Sequence, residues 1–498
     1  MSLTEELERL SSPRMFVGGE WCDSSDGAVL PCVNPADETE IGSIPDATVD
    51  DVDRAVQAAG DALPAWSGLS PIQRADKLRE LAKLVEANEA ELARIDALDS
   101  GNPVRAMLDD VRGACREIEL FAGLATEIKA DAVSNGGAQF AYGVREPYGV
   151  VGRIIPFNHP FKFAVGKSAA ALIAGNTVVL KPSEDTSLSA IRFAELTAGV
   201  LPAGVFNVVT GRGARVGAAI AAHPLIPRVA FTGGVPAGRS VLKAAADHIK
   251  HVTLELGGKN PMIVFPDVDP ARAAQAAIDG MNIARSQGQS CQSNSRVFVH
   301  DSIHDAFVEH LVRLVKGMNV GDPLDPRTDV GPLAYRAHYE RVLGYVEAGV
   351  REGAKLVAGG SASRKPGFYL DPTIFDDVEH GMTIATEEIF GPVVSVIPWR
   401  DYETVISQAN DTEFGLTANI WTNDLHLAHA TAHRIQAGYV WINGVGKRVF
   451  GTPFGGYKSS GLGKEGSLEE ILEYTRYKVI AVGLHSDAPD RLLSREQR

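Results

Sequence analysis

Cysteine is scarce in this chain. There are four in 498 residues, Cys22, Cys32, Cys115 and Cys291, and no C-x-x-C pair among them. That leaves no zinc cluster and no disulfide framework, and it fits a reducing, cytoplasmic compartment. Positive charge is in deficit too, with 48 Lys and Arg against 63 Asp and Glu and a net charge of −15. An acidic chain with interspersed signs lacks the basic patch that a nucleic acid or an anionic membrane surface requires. No stretch approaches the roughly 18 uninterrupted apolar residues of a membrane span. The N-terminus, MSLTEELERLSSPRMF, is charged and has no apolar core of a secretion signal. Internal repeats and low-complexity tracts are absent as well.

What is present is ordinary globular composition, 45% hydrophobic and 22% charged, in a chain too long for one core. At least two domains are expected. Residues 71–98 alternate apolar and charged positions at helical spacing, and their charges are expected to form a solvated face. From 148 onward short Val/Ile/Leu/Phe runs alternate with helical segments: VGRIIPF, TVVLKPS, VFNVVTG, RVAFTGG and HVTLEL are read as strands. Apolar runs without alternation mean strands buried on both faces, hence a Rossmann-like parallel sheet with helices on both sides. A helix is expected over 214–223. A second α/β block follows, with strands NPMIVF, SRVFVH, LTANIWTN and GYVWIN, and a helix over 270–284. The fold class is therefore α/β, with a cofactor domain (1–125 and 148–258), a catalytic domain (259–473) and a bridging element (126–147 and 474–488). The NGG of the bridging element reads as a hairpin, for pairing with another subunit or as a plain surface feature. The polar tail SDAPDRLLSREQR reads as frayed.

Ligands in parallel sheets bind beyond the carboxyl ends of the strands. Polar or small residues follow four of those ends here: Asn158; Lys181, Ser183 and Glu184; Thr232, Gly233 and Gly234; and Glu255, Gly257 and Gly258. Each alone is explained as a cap or a turn; together they point to one crevice. Two glycine-rich turns compete to cradle a phosphate, GRGARVG (211–217) and GGVPAG (233–238). Cys291, in GQSCQSNS, has no apolar neighbour within three positions on either side. It is either an inert thiol in a polar loop or a nucleophile that the loop presents. A nucleophilic thiol needs an oxyanion donor and a base, which Asn158 and Glu255 can supply.

The motifs PFNHP (156–160), GNTVVLKPSE (175–184), FTGG (231–234), LELGGKNP (254–261), GQSC (288–291), EEIFGPV (387–393) and PFGGYKSSGLGKE (453–465) resemble, in order and spacing, those of the aldehyde dehydrogenase superfamily. The resemblance covers nearly the whole chain. It implies Cys291 as nucleophile, Glu255 as general base, Asn158 as oxyanion donor and Lys167 near a proton-relay path. It implies Lys181 and Glu184 at the adenine ribose, Glu388 and Phe390 at the nicotinamide end, and the 233–238 turn, with Gly233, Gly234 and Gly238, at the pyrophosphate. Ile154, Pro156, Phe157, Ser183, Gly213 and Leu256 complete the implied cofactor surroundings. The implied reaction is NAD-dependent oxidation of an aldehyde to its acid through a thiohemiacetal and a thioester. NAD is implied over NADP, because Glu184 would repel a 2′-phosphate. A thiol unperturbed near pKa 8.5 leads one to expect a site that helps ionise it.

Phe163, Arg285, Gln292, Lys447, Arg448 and Phe454 fall where the family's tunnel wall lies. The three cations suit a carboxylate-bearing semialdehyde or face solvent, and no aromatic cage for a quaternary ammonium is apparent. A homodimer or homotetramer is implied, with no metal. The sequence departs from the family at Phe157, where a tryptophan is common, at Gly234, where a serine is common, and at Ser286, where an asparagine is frequent. The competing readings are a thiol esterase using the same Cys291 and a binding protein with an unreactive thiol.

Overall fold

The computed structural model describes residues 14–135, 139–362 and 366–483. The C-terminal tail, positions 484–488 of the expected bridging element and residues 136–138 of the expected hairpin lie outside these.

The parallel strands read from the sequence form where their burial demands it. Val150–Ile154, Thr177–Lys181, Phe206–Val208, Arg228–Thr232 and His251–Glu255 lie side by side and parallel; the first four are buried at every position. Their spatial order is 251, 228, 150, 177, 206. The chain therefore starts in the middle, builds outward to one side, then returns to build the other. The order reverses between Val150–Ile154 and Arg228–Thr232, and that gap is where helices diverge and a crevice opens. Antiparallel Met15–Val17, Glu20–Cys22 and Gly461–Leu462 close the edges.

A second sheet of seven strands runs Lys355–Ala358, Thr373–Asp376, Val393–Trp399, Arg296–His300, Pro261–Val264, Thr417–Trp421 and Tyr439–Ile442, parallel except for its first pair. Gln139–Pro147 pairs antiparallel with both Ala132–Asn135 and Thr475–Gly483 in a third sheet. Each of the larger sheets has apolar clusters on its faces, so the architecture is mixed α/β throughout.

Three local expectations change. The helix over 71–98 is two helices, Pro71–Ala87 and Glu89–Ser100, separated at Asn88, whose carboxamide donates to the Leu84 carbonyl at 2.7 Å. Its charges are not all solvated either. Arg74 is buried and donates to the Ile173 carbonyl at 2.9 Å, and buried Asp96 accepts from the Phe161 N–H at the start of helix Pro160–Ile173. The helix over 270–284 stops at Gly280, because Asn282 is left-handed at φ 58°; one further turn, Ile283–Ser286, follows. The helix expected over 214–223 opens as a wide π-type turn, Gly213–Gly217, before the short α-helix Ala218–Ala222.

Candidate active site

The crevice between the two large sheets is a cavity of about 400 Å³. The ends of the parallel strands supply one wall, through Pro156, Phe157, Asn158, Thr232, Gly233, Gly234, Glu255, Leu256 and Gly257. The second sheet's side supplies Cys291, Glu388 and Phe390, together with Tyr335, Ala337, His338 and Arg341, which the sequence did not suggest.

The cysteine loop is shaped by left-handed backbone. Gln287 (φ 53°) and Gly288 (φ 71°) turn the chain sharply, and a Cβ at Gly288 would lie 2.3 Å from the Gly391 carbonyl oxygen. Glycine is therefore required by both conformation and space. The Cys291 carbonyl is held by Asn260 Nδ2 at 2.7 Å, and a Cβ at Gly258 would approach that carbonyl to 2.8 Å. Gly257 leaves room for Glu388 in the same way: its Cβ would stand 2.1 Å from a Glu388 carboxylate oxygen. Glu388 instead accepts from the Gly258 N–H at 2.8 Å. The two glycines of LELGG thus let the base strand, the thiol loop and Glu388 converge.

The thiol's own surroundings oppose its ionisation, contrary to the sequence expectation. Burial, then the carboxylates of Glu255 and Glu388, push Cys291 up to about 12, with Lys167 and Arg448 acting the other way. A thiolate here needs proton removal by a neighbouring group. Glu255 is 5% exposed, burial lifts it to about 7, and its Oε1 has no protein partner. It is therefore a carboxylate poised to exchange a proton near neutrality. Asn158, 3% exposed, donates one Nδ2 hydrogen to the Gln289 carbonyl at 2.8 Å and keeps the second. Its backbone is fixed by Asn102, which donates to the Asn158 carbonyl at 2.9 Å.

Lys167 belongs to a buried ionic cluster that the sequence did not reveal. Its ammonium pairs with Glu465, which also binds the Arg153 guanidinium at 2.8 Å. Arg153 donates to the Tyr474 hydroxyl at 2.9 Å. Burial foremost, then Arg153, lowers Lys167 to about 8, and buried Glu470 is raised by its own burial. The one visible signal was an arginine inside the apolar strand run VGRII.

At the far end, Lys181 donates to Glu184 at 2.7 Å and the Gly213 N–H donates to the other Glu184 oxygen at 3.0 Å. Lys181 then keeps Glu184 ionised against its burial. Ser183 accepts from the Asp185 N–H at 3.4 Å, and the Ile154 side chain is buried close to Gly217. Gly238 packs on Leu256, whose Cδ2 would lie 2.8 Å from a Cβ there.

Of the residues expected along the substrate path, Phe163 lines the cavity. Phe454 is buried, with the Arg448 guanidinium 4.5 Å above its ring, and Arg448 lies 3.9 Å from Glu117. Gln292 is partly buried and its Oε1 has no partner. Gln292, Arg448, Phe454, Arg285 and Lys447 are not among the described residues lining the cavity. The Arg285 charge is engaged by Asp110 at 2.9 Å, which also holds His159 and Lys162; Lys447 is exposed.

Comparison with known proteins agrees with this architecture. Residues 21–480 match the profile of the aldehyde dehydrogenase family. A hydroxyisobutyraldehyde dehydrogenase of Mycolicibacterium austroafricanum is 42% identical, covering 97% of this chain and 96% of its own length. A betaine aldehyde dehydrogenase of Mesorhizobium japonicum is 43% identical, covering 94% and 96%. The NAD+ complex of an aldehyde dehydrogenase from Bacillus cereus superposes with a TM-score of 0.95 at 38% identity, over 97% of this chain and 100% of that one. No helix among the described residues is long and apolar enough to cross a membrane. On the profile match and these identities, the chain belongs to the aldehyde dehydrogenase family.

Proposed function

We propose that the protein oxidises an aldehyde to its carboxylic acid with NAD, through covalent intermediates on Cys291. The observation that carries this reading is that Cys291, Glu255 and Asn158 border one cavity, together with the Gly233–Gly234 turn and Glu388. The residues fit a dinucleotide. Thr232 Oγ1 is buried and unpartnered, and Gly234 is the N-cap of the helix Val235–Ala246, while the Gly233 N–H is already given to the Glu255 carbonyl at 3.1 Å. NAD, when bound, supplies the hydride acceptor.

In this reading Glu255, about half ionised at neutral pH, takes the Cys291 proton. The sulfur attacks the aldehyde carbon, forming the thiohemiacetal. Asn158 Nδ2 and the Cys291 N–H hold the oxyanion; one such donor contributes about 3 kcal/mol. Glu255 gives up the thiol proton toward solvent before deacylation; after the thioester forms, the regenerated carboxylate draws a proton from water, which attacks the acyl carbon, and the Cys291 thiolate leaves with the acid released. Lys167 and Glu465 lie behind Glu255 as a route for that proton.

NAD is preferred over NADP on this reading. Ionised Glu184, fixed by Lys181 and Gly213, opposes a 2′-phosphate. The substrate on this reading is a polar aldehyde such as a semialdehyde, for which Arg448, over Phe454 and outside the residues lining the described cavity, is the candidate cation. Lys167 sits 5.3 Å over Phe163 and Arg448 over Phe454, so cations already occupy both aromatic faces. That disfavours a quaternary ammonium there.

The test is NADH formation from NAD with a panel of aliphatic, aromatic, carboxylated and betaine aldehydes, in the wild type and in Cys291→Ala. Turnover with a carboxylated aldehyde, lost in the variant, is expected. An active Cys291→Ala protein would overturn the assignment.

A further inference from the structure

We propose that His304, Asp376 and Asp377 form a binding site for a divalent transition-metal ion of the Zn²⁺ type, remote from the crevice. The inference is independent of the reaction proposed above.

The site lies where the second sheet ends. The strand Arg296–His300 leaves the cysteine loop and runs away from the crevice, with Val393–Trp399 and then Thr373–Asp376 parallel to it. Asp376 therefore closes its strand at the end of the sheet opposite Cys291. His304 opens the helix His304–Lys316 shortly after His300. Successive strand residues face opposite ways, but Asp377 has left-handed backbone at φ 50°, which lets its carboxylate turn back toward Asp376. One nitrogen of His304 and one oxygen of each aspartate lie within 4.8 Å of one another.

How the buried pair meets carries the inference. His304 is 8% exposed and Asp376 is 4% exposed. His304 Nε2 and Asp376 Oδ1 stand 2.9 Å apart, yet neither atom completes a hydrogen bond among the described residues. A ring N–H bonds along its own axis, so the oxygen lies to one side of that axis. Two ligands of one metal ion meet in that way. Each is about 2.0–2.2 Å from the ion and so about 3 Å from the other, and the ion takes the lone-pair direction.

The second ring nitrogen agrees with this. Nδ1 faces the Asp305 carboxylate at 3.3 Å. A carboxylate accepts, so Nδ1 carries the proton and Nε2 offers a lone pair, the orienting contact that metal-bound imidazoles use. Charge also favours a cation. Among the described residues, Asp305, Asp376 and Asp377 face one ammonium, Lys355, which is 3.7 Å from Asp376 Oδ2 and 4.0 Å from Asp377. Lys355 is exposed and leaves Asp376 Oδ1 to the site. An imidazole with two carboxylates suits Zn²⁺ and its neighbours, whereas Mg²⁺ and Ca²⁺ take oxygen sets.

The experiment titrates Zn²⁺ by calorimetry into chelator-stripped, full-length Cys291→Ala protein, whose active-site thiol cannot compete, and follows the melting temperature. One ion per chain is expected, with a rise of about 3–5 °C at a hundredfold excess over Kd. In the same background Asp377→Asn, at an exposed position, should weaken binding at least tenfold and remove that rise. His304→Gln should do the same. Lys355→Ala should tighten binding severalfold by removing the competing ammonium. Zn²⁺ binding to the Asp377→Asn protein within twofold of its parent overturns the assignment, and so does weaker binding to the Lys355→Ala protein. A parent that binds no ion would mark a plain imidazolium–carboxylate pair and overturn it equally.

Discussion

Replacing Glu255 with glutamine removes a charge that the surrounding fold opposes, and the consequences separate chemistry from stability. The carboxyl is ordinarily near 4.5 but is held at about 7, with burial as the leading cause. A folded-state value above the unfolded one means that the native protein binds the extra proton between those two pH values. Stability conferred by this group is therefore present at and below pH 4.5 and is lost as pH rises to 7. The loss is about 3 kcal/mol, from 1.36 kcal/mol per tenfold change in proton affinity. Glu255→Gln, which cannot ionise, should melt a few °C above wild type at pH 8, given the shallow response of a chain this long, roughly 1–2 °C per kcal/mol. The gap should close at pH 5. In pre-steady-state mixing with aldehyde and NAD, the variant should give a slowed burst of NADH, because Glu255 also takes the thiol proton, and then stall at the thioester. Steady-state turnover should fall on the order of 10²–10⁴-fold. Wild-type deacylation should rise about tenfold from pH 6 to its plateau above pH 7, as the base ionises. Differential scanning fluorimetry across pH and stopped-flow absorbance make the two measurements. A variant with wild-type steady-state turnover, or with no pH-dependent melting gap, would refute the reasoning.

Gly234→Ser meets no steric barrier, since the residue has ordinary extended backbone (φ −76°, ψ 152°) and open space at its Cβ position. It should restore a hydroxyl at the helix N-cap and tighten NADH binding several-fold, with a few tenths of a kcal/mol in stability; weaker binding in a fluorescence titration would argue against a diphosphate at this turn. The strand Thr475–Gly483 leaves one edge open among the described residues and exposes Tyr477, Val479 and Val482. Unpaired edges with apolar side chains invite pairing with a second copy. Sedimentation of the intact protein should therefore show a dimer or tetramer, and a monomer at micromolar concentration would contradict that role.

Much of the architecture was legible because strands buried on both faces leave continuous apolar runs. Boundaries that depend on one side chain were not, as at Asn88, where a carboxamide competes for a helical carbonyl. Cys291 stood out for its polar neighbours, and its partners for their places at strand ends. Arg341 and His338 did not stand out. On a helix they read as one more exposed arginine and one more histidine, and only the packing of that helix against Phe390 turns them toward the cavity.

The chain by itself determined the alternation of strand and helix, the order of the motifs and the identity of the thiol, the carboxyl and the amide that meet. Local propensity and burial patterns are properties of neighbouring residues, so a linear reading captures them. The tertiary structure alone decided the charge state of the site. Burial and neighbouring carboxylates raise Cys291 where the sequence suggested assistance. Arg153 and Glu465, 312 positions apart, share an ion pair behind the base. Arg285 is claimed by Asp110 and held off the cavity. Electrostatics depends on distance and solvent exclusion, and neither exists until the sheets have closed around the crevice.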